Sequence, residues 1–341
     1  MIYIRTDSNN TIATGHVMRC LSIAKALRKS GEECIFITAD SRSDELIKSN
    51  GFDIICLNSE WNNPNSEIED LINIIKDKDI KKLLIDSYYV TEGYLESIKK
   101  YTKLIYIDDI NSFSYPVDML INYSGSYENF KYDIQYKNTQ TKLLLGYDYV
   151  PLREEFQNIK SVIRDNVEQI LFTMGGTDEN NITARFIESV LDDMFFYDII
   201  FHIVIGSFNK NLEELNKLVS NCPNIKLHYN VNKISELMNQ CDIAISAGGT
   251  TLLELCACGI PTIGFTIADN QIAGTKCLED KKAIIYVGDA RYDIKKIMEN
   301  TSKTAKILVE NIELRNYLSK NMKNAIDANG ANRIANEINL L

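Results

Sequence analysis

His16 stands where a catalytic side chain is expected, because it opens a helix that follows a short apolar strand and a polar loop. The exposed amides at the start of a helix carry partial positive charge and attract anions. The same field disfavours an imidazolium ion, which suits a general base. The local pattern fits a structural role equally well, in which Gly15 turns the chain and His16 only begins the helix.

The other two histidines have different settings. His202 lies in an apolar run that predicts a buried strand, and His228 lies in an alternating pattern typical of a half-exposed strand. Neither has a carboxylate or a cysteine at metal-ligand spacing. We therefore expect no metal site and no bound cofactor.

The composition bounds the class of protein. The chain has 341 residues, 45% of them hydrophobic, which suits two domains of ordinary size. Its eight cysteines include no Cys-x-x-Cys pair and are typical of small core residues in a reducing compartment. We see no leader and no apolar stretch of about 20 residues, so we expect a cytoplasmic protein without membrane insertion. The net charge of −10 argues against nucleic acid as a partner.

Apolar runs of strand length alternate with segments of helical period along the chain. Strands separated by helices cannot form tight hairpins, so the pattern predicts an α/β fold of doubly wound parallel sheets. A turn-like junction near residues 146–161 predicts one domain over 1–150 and a second over 165–325. A helical tail, interrupted at Asn329 and Gly330, is expected to end in a helix over 326–341 that packs back on the first domain. The predicted strands cover residues 2–4, 34–38, 54–57, 82–85, 104–107, 119–121, 143–145, 169–173, 199–205, 225–229, 243–246, 261–265 and 284–287.

Polar side chains follow several strands of the first domain, where parallel sheets bind their ligands. Asp7 is a candidate to orient His16 or Arg5, and the phenol of Tyr88 is a candidate to hold a sugar hydroxyl or to polarise a substrate group. Acids after strands are also common as helix caps and turn residues. The candidate positions are Asp7 after the first strand, 86–89 after the fourth, and Asp108 with Asp109 after the fifth.

Two glycine-containing turns follow strands of the second domain. Neither has the Gly-x-Gly-x-x-Gly spacing of dinucleotide-binding proteins or the Gly-Lys-Ser/Thr of a P-loop. The first turn allows close backbone approach to a phosphate or a ribose. The amides of Thr250 and Thr251 in the second are expected to receive a diphosphate, and Glu254, one helical turn later, to accept both hydroxyls of a ribose. A simple turn with a capping threonine and a solvated glutamate is the alternative. The turns contain Gly175, Gly176 and Thr177, and then Gly249, Thr250 and Thr251.

Four motifs occur together and in a fixed order: Arg5-x-Asp7, Gly15-His16-Val17-Met18-Arg19-Cys20-Leu21, Met174 to Asp178, and Gly248 to Pro261. In this combination the chain resembles the nucleotide-sugar hydrolases of pseudaminic acid biosynthesis over about residues 1–290. Those enzymes are similar in fold to MurG-like glycosyltransferases of the GT-B class. The resemblance implies two Rossmann-like parallel-sheet domains that face a cleft.

The resemblance also implies an activity: metal-independent hydrolysis of UDP-2,4-diacetamido-2,4,6-trideoxy-β-L-altropyranose to UDP and the free sugar. Water attacks the anomeric carbon, His16 is the general base, and the protein acts as a monomer on a small-molecule UDP-sugar. Ser87 departs from the pattern, since some members carry a histidine there, which bears on the identity of the sugar. The implied substrate-binding residues are Arg5, Asp7, Gly15, Tyr88, Gly175, Gly176, Thr177, Gly249, Thr250, Thr251, Glu254, Asn270 and Gln271.

Two other functions stay open on the sequence. An inverting glycosyltransferase of the same architecture, acting in surface polysaccharide synthesis, would use an acceptor hydroxyl in place of water. A non-enzymatic nucleotide-sugar-binding protein would keep Glu254 but would have no need of His16. The presence of both residues favours an enzyme.

Overall fold

A computed structural model describes residues 1–9, 11, 12, 14–176, 178–206, 209–231 and 233–341. The chain forms two compact units. Residues 1–154 and 328–341 make up the first unit, and residues 155–327 the second. None of the described helices is both long enough and apolar enough to cross a membrane.

Each unit is built on one parallel sheet. The strands of the first unit are β1 Ile2–Thr6, β2 Cys34–Thr38, β3 Asp53–Cys56, β4 Lys82–Asp86, β5 Lys103–Ile107, β6 Met119–Asn122 and β7 Lys142–Leu145. The strands of the second unit are β8 Gln169–Thr173, β9 Ile200–Ile205, β10 Ile225–Tyr229, β11 Ile243–Ala247, β12 Thr262–Thr266 and β13 Ile285–Asp289. The spatial orders are β3-β2-β1-β4-β5-β6-β7 and β10-β9-β8-β11-β12-β13. The predicted doubly wound α/β architecture is confirmed.

The helices lie between the strands and at the end of the chain. They are α1 Gly15–Lys29, α2 Asp44–Ser49, α3 Ile68–Asp77, α4 Glu92–Lys99, α5 Tyr132–Gln135, α6 Ile182–Leu191, α7 Leu212–Val219, α8 Ile234–Gln240, α9 Thr250–Cys258, α10 Asp269–Asp280, α11 Ile294–Glu310, α12 Ile312–Ala325 and α13 Gly330–Leu340. The predicted break of the C-terminal helical tail at Asn329 and Gly330 is present, and the tail has a second break at Asn311, between α11 and α12. The side chain of Asn311 accepts a hydrogen bond of 2.8 Å from the amide of Leu314 and so caps a separate helix, α12.

Successive side chains of β1 point to opposite faces of the first sheet. Ile2 and Ile4 pack in one apolar cluster with α1 and α13, and Tyr3 packs on the opposite face with α3 and α4. All five residues of β1 are buried, as expected for a central strand between two helical layers. The packing therefore fixes the start of α1 against the carboxyl end of β1.

The strand orders reverse at one point in each sheet. From β1 the chain builds outward to β2 and β3 and then returns to β4 on the other side, and β8 is flanked in the same way by β9 and β11. Ligands of open parallel sheets bind beyond the carboxyl ends of the strands at such switch points. The residues after β1, β4, β8 and β11 are therefore the ones to consider as a site.

His202 and His228 form a hydrogen-bonded pair on neighbouring strands of the second unit. The Nδ1 atom of His202 lies 2.9 Å from Nε2 of His228, and its Nε2 lies 2.8 Å from Oε1 of Gln169. Because Oε1 only accepts, His202 carries its proton on Nε2 and accepts from His228. Burial, with the nearby His228 and Lys226, lowers the pKa of His202 from 6.5 to about 4.

Acidification is expected to destabilise the wild-type protein more than a His202→Gln variant. Between pH 6.5 and about 4 the unfolded chain binds a proton at this position and the folded chain does not, so the free energy of unfolding falls as the pH falls. The excess loss in the wild type reaches about 3 kcal/mol at the acid end. Urea unfolding followed by circular dichroism at several pH values measures it, and equal pH slopes in the two proteins would contradict the expectation.

Candidate active site

The start of α1 and the end of β4 meet at the switch point of the first sheet. His16 is the second residue of α1 and is 5% exposed, and Asp86 is the last residue of β4 and is buried. The Nδ1 atom of His16 lies 2.6 Å from Oδ1 of Asp86. Pairing of β4 with β1 places Asp86 opposite Thr6 and so beside the helix start. The histidine predicted as a base therefore has a carboxylate partner.

Arg19 connects this pair to the next strand ends. It lies one turn after His16 on the same face of α1. Its guanidinium donates to both oxygens of Asp86 at 2.6 and 2.5 Å, to Oδ2 of Asp109 at 2.7 Å, and to the hydroxyl of Tyr123 at 2.7 Å. Burial by itself would lower the pKa of Arg19, but Asp109 and Asp86 raise it well above its usual value. The guanidinium is thus a fixed positive charge.

Asp86 is a carboxylate in this setting. Burial by itself would raise its pKa, but the charge of Arg19 and the hydrogen bonds from Arg19 and His16 hold it well below its usual range. The thiol of Cys20 also donates to Asp86, at 3.5 Å, and burial followed by the charge of Asp86 raises the pKa of that thiol well above its usual value. Because an ionised carboxylate only accepts, His16 carries a proton on Nδ1.

Tyr88 packs against the imidazole of His16. The two ring centres are 4.4 Å apart and the planes meet at 76°, an edge-on contact. The phenol donates to Oδ2 of Asp109 at 2.9 Å. Partial burial and the Asp109 carboxylate raise the pKa of Tyr88 above its usual value, so the phenol keeps its proton. Tyr88 is 42% exposed, which leaves part of the ring accessible beside the histidine.

The two acids after β5 have different roles. Asp108 is buried and accepts from the amides of Ile110 and Asn111 at 3.0 and 2.9 Å and from the hydroxyl of Tyr115 at 2.9 Å. This carboxylate therefore holds the turn, as an ordinary strand-end aspartate does. Asp109, whose side chain is 27% exposed, points to Arg19 instead.

Arg5 and Asp7 form a separate buried network. The guanidinium of Arg5 donates to both oxygens of Glu67 at 2.7 and 2.8 Å and to Asp7 at 2.5 Å. Asp7 accepts from the amide of Ala39 at 2.8 Å. The structure pairs Asp7 with Arg5 and gives the place beside His16 to Asp86. Arg5, at 2% exposed, holds the strand end and its loops together.

The start of α9 in the second unit is open. Gly249 has φ of 127°, which glycine adopts without strain, and a Cβ atom there would meet nothing within 4 Å. Thr250 and Thr251 are the first residues of α9, and in the described part of the chain no side chain caps them. Glu254 follows one turn later and is half-buried. This is the arrangement in which helix amides receive an anion.

The loop after β8 lies beside the start of α9. A Cβ atom on Gly175, whose φ is 79°, would be 3.9 Å from Oγ1 of Thr251, and one on Gly176 would meet nothing within 4 Å. Thr177 lies outside the described residues. Asp178 accepts from the amides of Ile182 and Thr183, both at 2.8 Å, and so caps α6.

Asn270 and Gln271 begin α10 nearby. Gln271 accepts from the amide of Ile267 at 2.9 Å, and its side chain would lie 2.9 Å from a Cβ atom on Gly248. Gln271 therefore fixes α10 against the loop before α9. Asn270 is exposed. At Gly15, in the first unit, a Cβ atom would meet nothing within 4 Å, so space is open at the start of α1.

Four residues complete the His16 network: Asp86, Asp109, Arg19 and Tyr123. Asp86 and Asp109 were candidate positions with no assigned role, and Arg19 and Tyr123 were not predicted as site residues. Arg19 could have been found from its spacing, because residues three apart in a helix, such as His16 and Arg19, lie on the same face. The other three follow different strands, and which strands are neighbours decides whether they meet. In the described ranges no three His, Cys, Asp or Glu side chains are grouped as metal ligands.

Comparison with known proteins identifies the fold that carries this site. Residues 170–336 match the family model described as the glycosyltransferase family 28 C-terminal domain. Among solved structures, Acinetobacter baumannii MurG superposes with a TM-score of 0.71 at 13% identity, over 100% of this chain and 99% of that one. The protein has a GT-B fold. That conclusion agrees with the two parallel sheets of seven and six strands in the described residues.

Curated relatives align with most of this GT-B chain. An uncharacterised protein of Methanocaldococcus jannaschii is 30% identical over 293 residues, 82% of this chain, and this chain spans 57% of that relative's length. The spore coat polysaccharide biosynthesis protein SpsG of Bacillus subtilis is 24% identical, covering 84% of this chain and 83% of the relative. The UDP-2,4-diacetamido-2,4,6-trideoxy-beta-L-altropyranose hydrolase of Campylobacter jejuni is 26% identical, covering 74% and 86%. The resemblance drawn from the motifs is confirmed.

Proposed function

We propose that this GT-B protein is a UDP-sugar hydrolase that cleaves UDP-2,4-diacetamido-2,4,6-trideoxy-β-L-altropyranose to UDP and the free sugar in pseudaminic acid biosynthesis. The observation that carries the proposal is the 2.6 Å contact between His16 and Asp86 at the start of α1. The name of the Campylobacter jejuni relative supports the choice of substrate. On this proposal the enzyme acts as a monomer.

In the proposed mechanism, His16 is the general base. Asp86 holds the proton on Nδ1, so Nε2 presents its lone pair, and no described residue donates to it. Nε2 takes a proton from water as the water oxygen bonds to the anomeric carbon. The bond between that carbon and the diphosphate oxygen breaks, and UDP leaves with the electron pair. The carboxylate of Asp86 stabilises the imidazolium that forms.

In the same proposal the second unit holds the UDP. The amides of Thr250 and Thr251, with the glycine turns at Gly175 and Gly249, receive the diphosphate and stabilise the charge that develops on it. Glu254 accepts from the ribose hydroxyls. Tyr88 bounds the sugar beside His16, and Asn270 and Gln271 lie toward the diphosphate. Arg5 and Asp7 position the loops rather than contact the sugar, because their charged groups are already paired.

A Glu254→Ala variant is expected to bind UDP about 10- to 100-fold more weakly than the wild type, because it loses charge-assisted hydrogen bonds to the ribose. Isothermal titration calorimetry with UDP measures the change. Glu299→Ala removes an exposed glutamate from the middle of α11 and is the matched control, with unchanged affinity expected. Equal UDP affinity in Glu254→Ala and the wild type would remove Glu254 from the ribose site.

The activity itself is tested by UDP release from the proposed substrate and from UDP-GlcNAc, without any acceptor and with or without EDTA. Release from the diacetamido sugar that survives EDTA supports a metal-independent hydrolase. Release that EDTA abolishes would contradict the metal-independent mechanism.

An inverting UDP-sugar glycosyltransferase is the second candidate, because the family model that matches residues 170–336 is named for glycosyltransferases. In that case the same base would deprotonate an acceptor hydroxyl. Absence of UDP release without acceptor, together with tight UDP binding, would favour this candidate over the hydrolase.

A further inference from the structure

One carboxylate oxygen of Asp109 accepts hydrogen bonds from described side chains, and the other accepts none from them. Its Oδ2 accepts from Arg19 at 2.7 Å and from the phenol of Tyr88 at 2.9 Å. Among the described residues no group donates to Oδ1. An ionised carboxylate accepts several hydrogen bonds, two or more at each oxygen. With its side chain 27% exposed, Asp109 thus presents an oriented acceptor to the space beside Tyr88.

The orientation of this acceptor is fixed from two sides. Asp108 ties down the turn that carries Asp109 by accepting from the amides of Ile110 and Asn111. Arg19 and Tyr88 hold the carboxylate itself, and Tyr88 also rests on the imidazole of His16 with ring centres 4.4 Å apart. A group held by both its backbone and its side chain loses little entropy when it binds a ligand.

The chemistry around Oδ1 selects the kind of ligand atom. The two groups that donate to this carboxylate, the guanidinium of Arg19 and the phenol of Tyr88, are both directed at Oδ2. What stays available is a negative oxygen and the lone pairs of the phenol. Such a surface attracts N–H and O–H groups and repels phosphate. It therefore fits the sugar end of a nucleotide sugar rather than its diphosphate.

We propose that Asp109 accepts a hydrogen bond from the N–H or O–H on the sugar carbon next to the anomeric carbon, and so selects nucleotide sugars that carry a donor there. The inference rests on the proposed function for the identity of the ligand. The choice of that carbon follows from Tyr88, whose side chain contacts both the imidazole of the proposed base and the carboxylate of Asp109.

Asp109→Asn is the informative variant because it keeps the shape of the side chain. Its amide oxygen retains the hydrogen bonds from Arg19 and Tyr88, and its NH2 group takes the place of Oδ1. At this position the variant presents a hydrogen-bond donor where the wild type presents an acceptor, and that donor cannot pair with an N–H or O–H of the ligand. We expect UDP to bind with unchanged affinity and the 2-acetamido UDP-sugar to bind about 10- to 100-fold more weakly.

The measurement is a thermodynamic cycle of binding by calorimetry. The ligands are UDP, the diacetamido UDP-sugar and its analogue with hydrogen in place of the acetamido group on the carbon next to the anomeric carbon. All proteins carry His16→Asn, so that turnover is slowed by about 10²- to 10⁴-fold during the titration. The analogue should bind more weakly than the parent sugar before Asp109→Asn is introduced, and equally well after it. Asp40→Asn, which changes a half-buried acid paired with Arg42 after β2, is the matched control, with no change expected.

Equal losses for both sugars in Asp109→Asn would overturn the inference, because they would mean that Asp109 only positions Tyr88. A loss of UDP affinity in Asp109→Asn would overturn it as well, since the carboxylate would then act on the nucleotide. The result does not depend on hydrolysis. A protein that binds the UDP-sugar without releasing UDP would refute the hydrolase proposal and leave the binding cycle as the test of Asp109.

Discussion

His16→Asn is expected to lower kcat for UDP release by about 10²- to 10⁴-fold and to leave UDP affinity unchanged. The imidazole is the group placed to take the proton of the attacking water, since Asp86 accepts from its Nδ1 at 2.6 Å. The NH2 group of asparagine can still donate to Asp86, so the buried network with Arg19 keeps its shape. The variant therefore removes the base with little disturbance of its surroundings.

Single-turnover rates with the proposed substrate measure the effect, and calorimetry with UDP measures binding. His228→Asn is the matched control, because it makes the same substitution at a half-buried histidine of the second unit. We expect it to retain wild-type kcat. Should His16→Asn keep more than about a tenth of the wild-type kcat, another group would be the base.

The sheets were predictable because buried parallel strands are continuous apolar runs. Every predicted strand corresponds to one in the described residues, with ends that differ by up to two residues. β1 shows why the ends differ. The run was predicted to stop at Ile4, yet Arg5 and Thr6 continue the strand in a buried position. The charge of Arg5 is accommodated by Glu67, 62 residues away, and a local pattern cannot reveal that partner.

The site was predictable only in part. His16 and the glycine turns carry local signals, namely a helix start after a strand and positive-φ positions. Their partners depend on strand order. Asp86 meets His16 because β4 lies beside β1, and the alternation of strands and helices leaves that order undetermined. Asp7 follows β1 directly and was expected beside His16 or Arg5, and the structure pairs it with Arg5.

Asp86→Asn is expected to lower kcat by about 10²- to 10⁴-fold through the tautomer of His16. Arg19 donates to both oxygens of Asp86. In either orientation of the asparagine amide, its NH2 group therefore faces one N–H donor of Arg19. When it occupies the Oδ1 position it donates to Nδ1 of His16. The imidazole proton then moves to Nε2, and the lone pair that accepts the water proton is lost. The variant also lacks the negative charge that stabilises the imidazolium.

Two measurements separate this effect from unfolding, which is a risk because breaking a buried ion pair costs about 3–5 kcal/mol. Thermal unfolding by circular dichroism establishes that the variant is folded at the assay temperature. The ¹⁵N shifts of the three imidazoles then report the tautomer of each histidine. In the wild type His16 should carry its proton on Nδ1, and in folded Asp86→Asn a population with the proton on Nε2 should appear, with His202 and His228 unchanged. A folded variant with wild-type kcat would show that Asp86 organises the loop and has no part in catalysis. The interaction of His16 with water would then fix its tautomer.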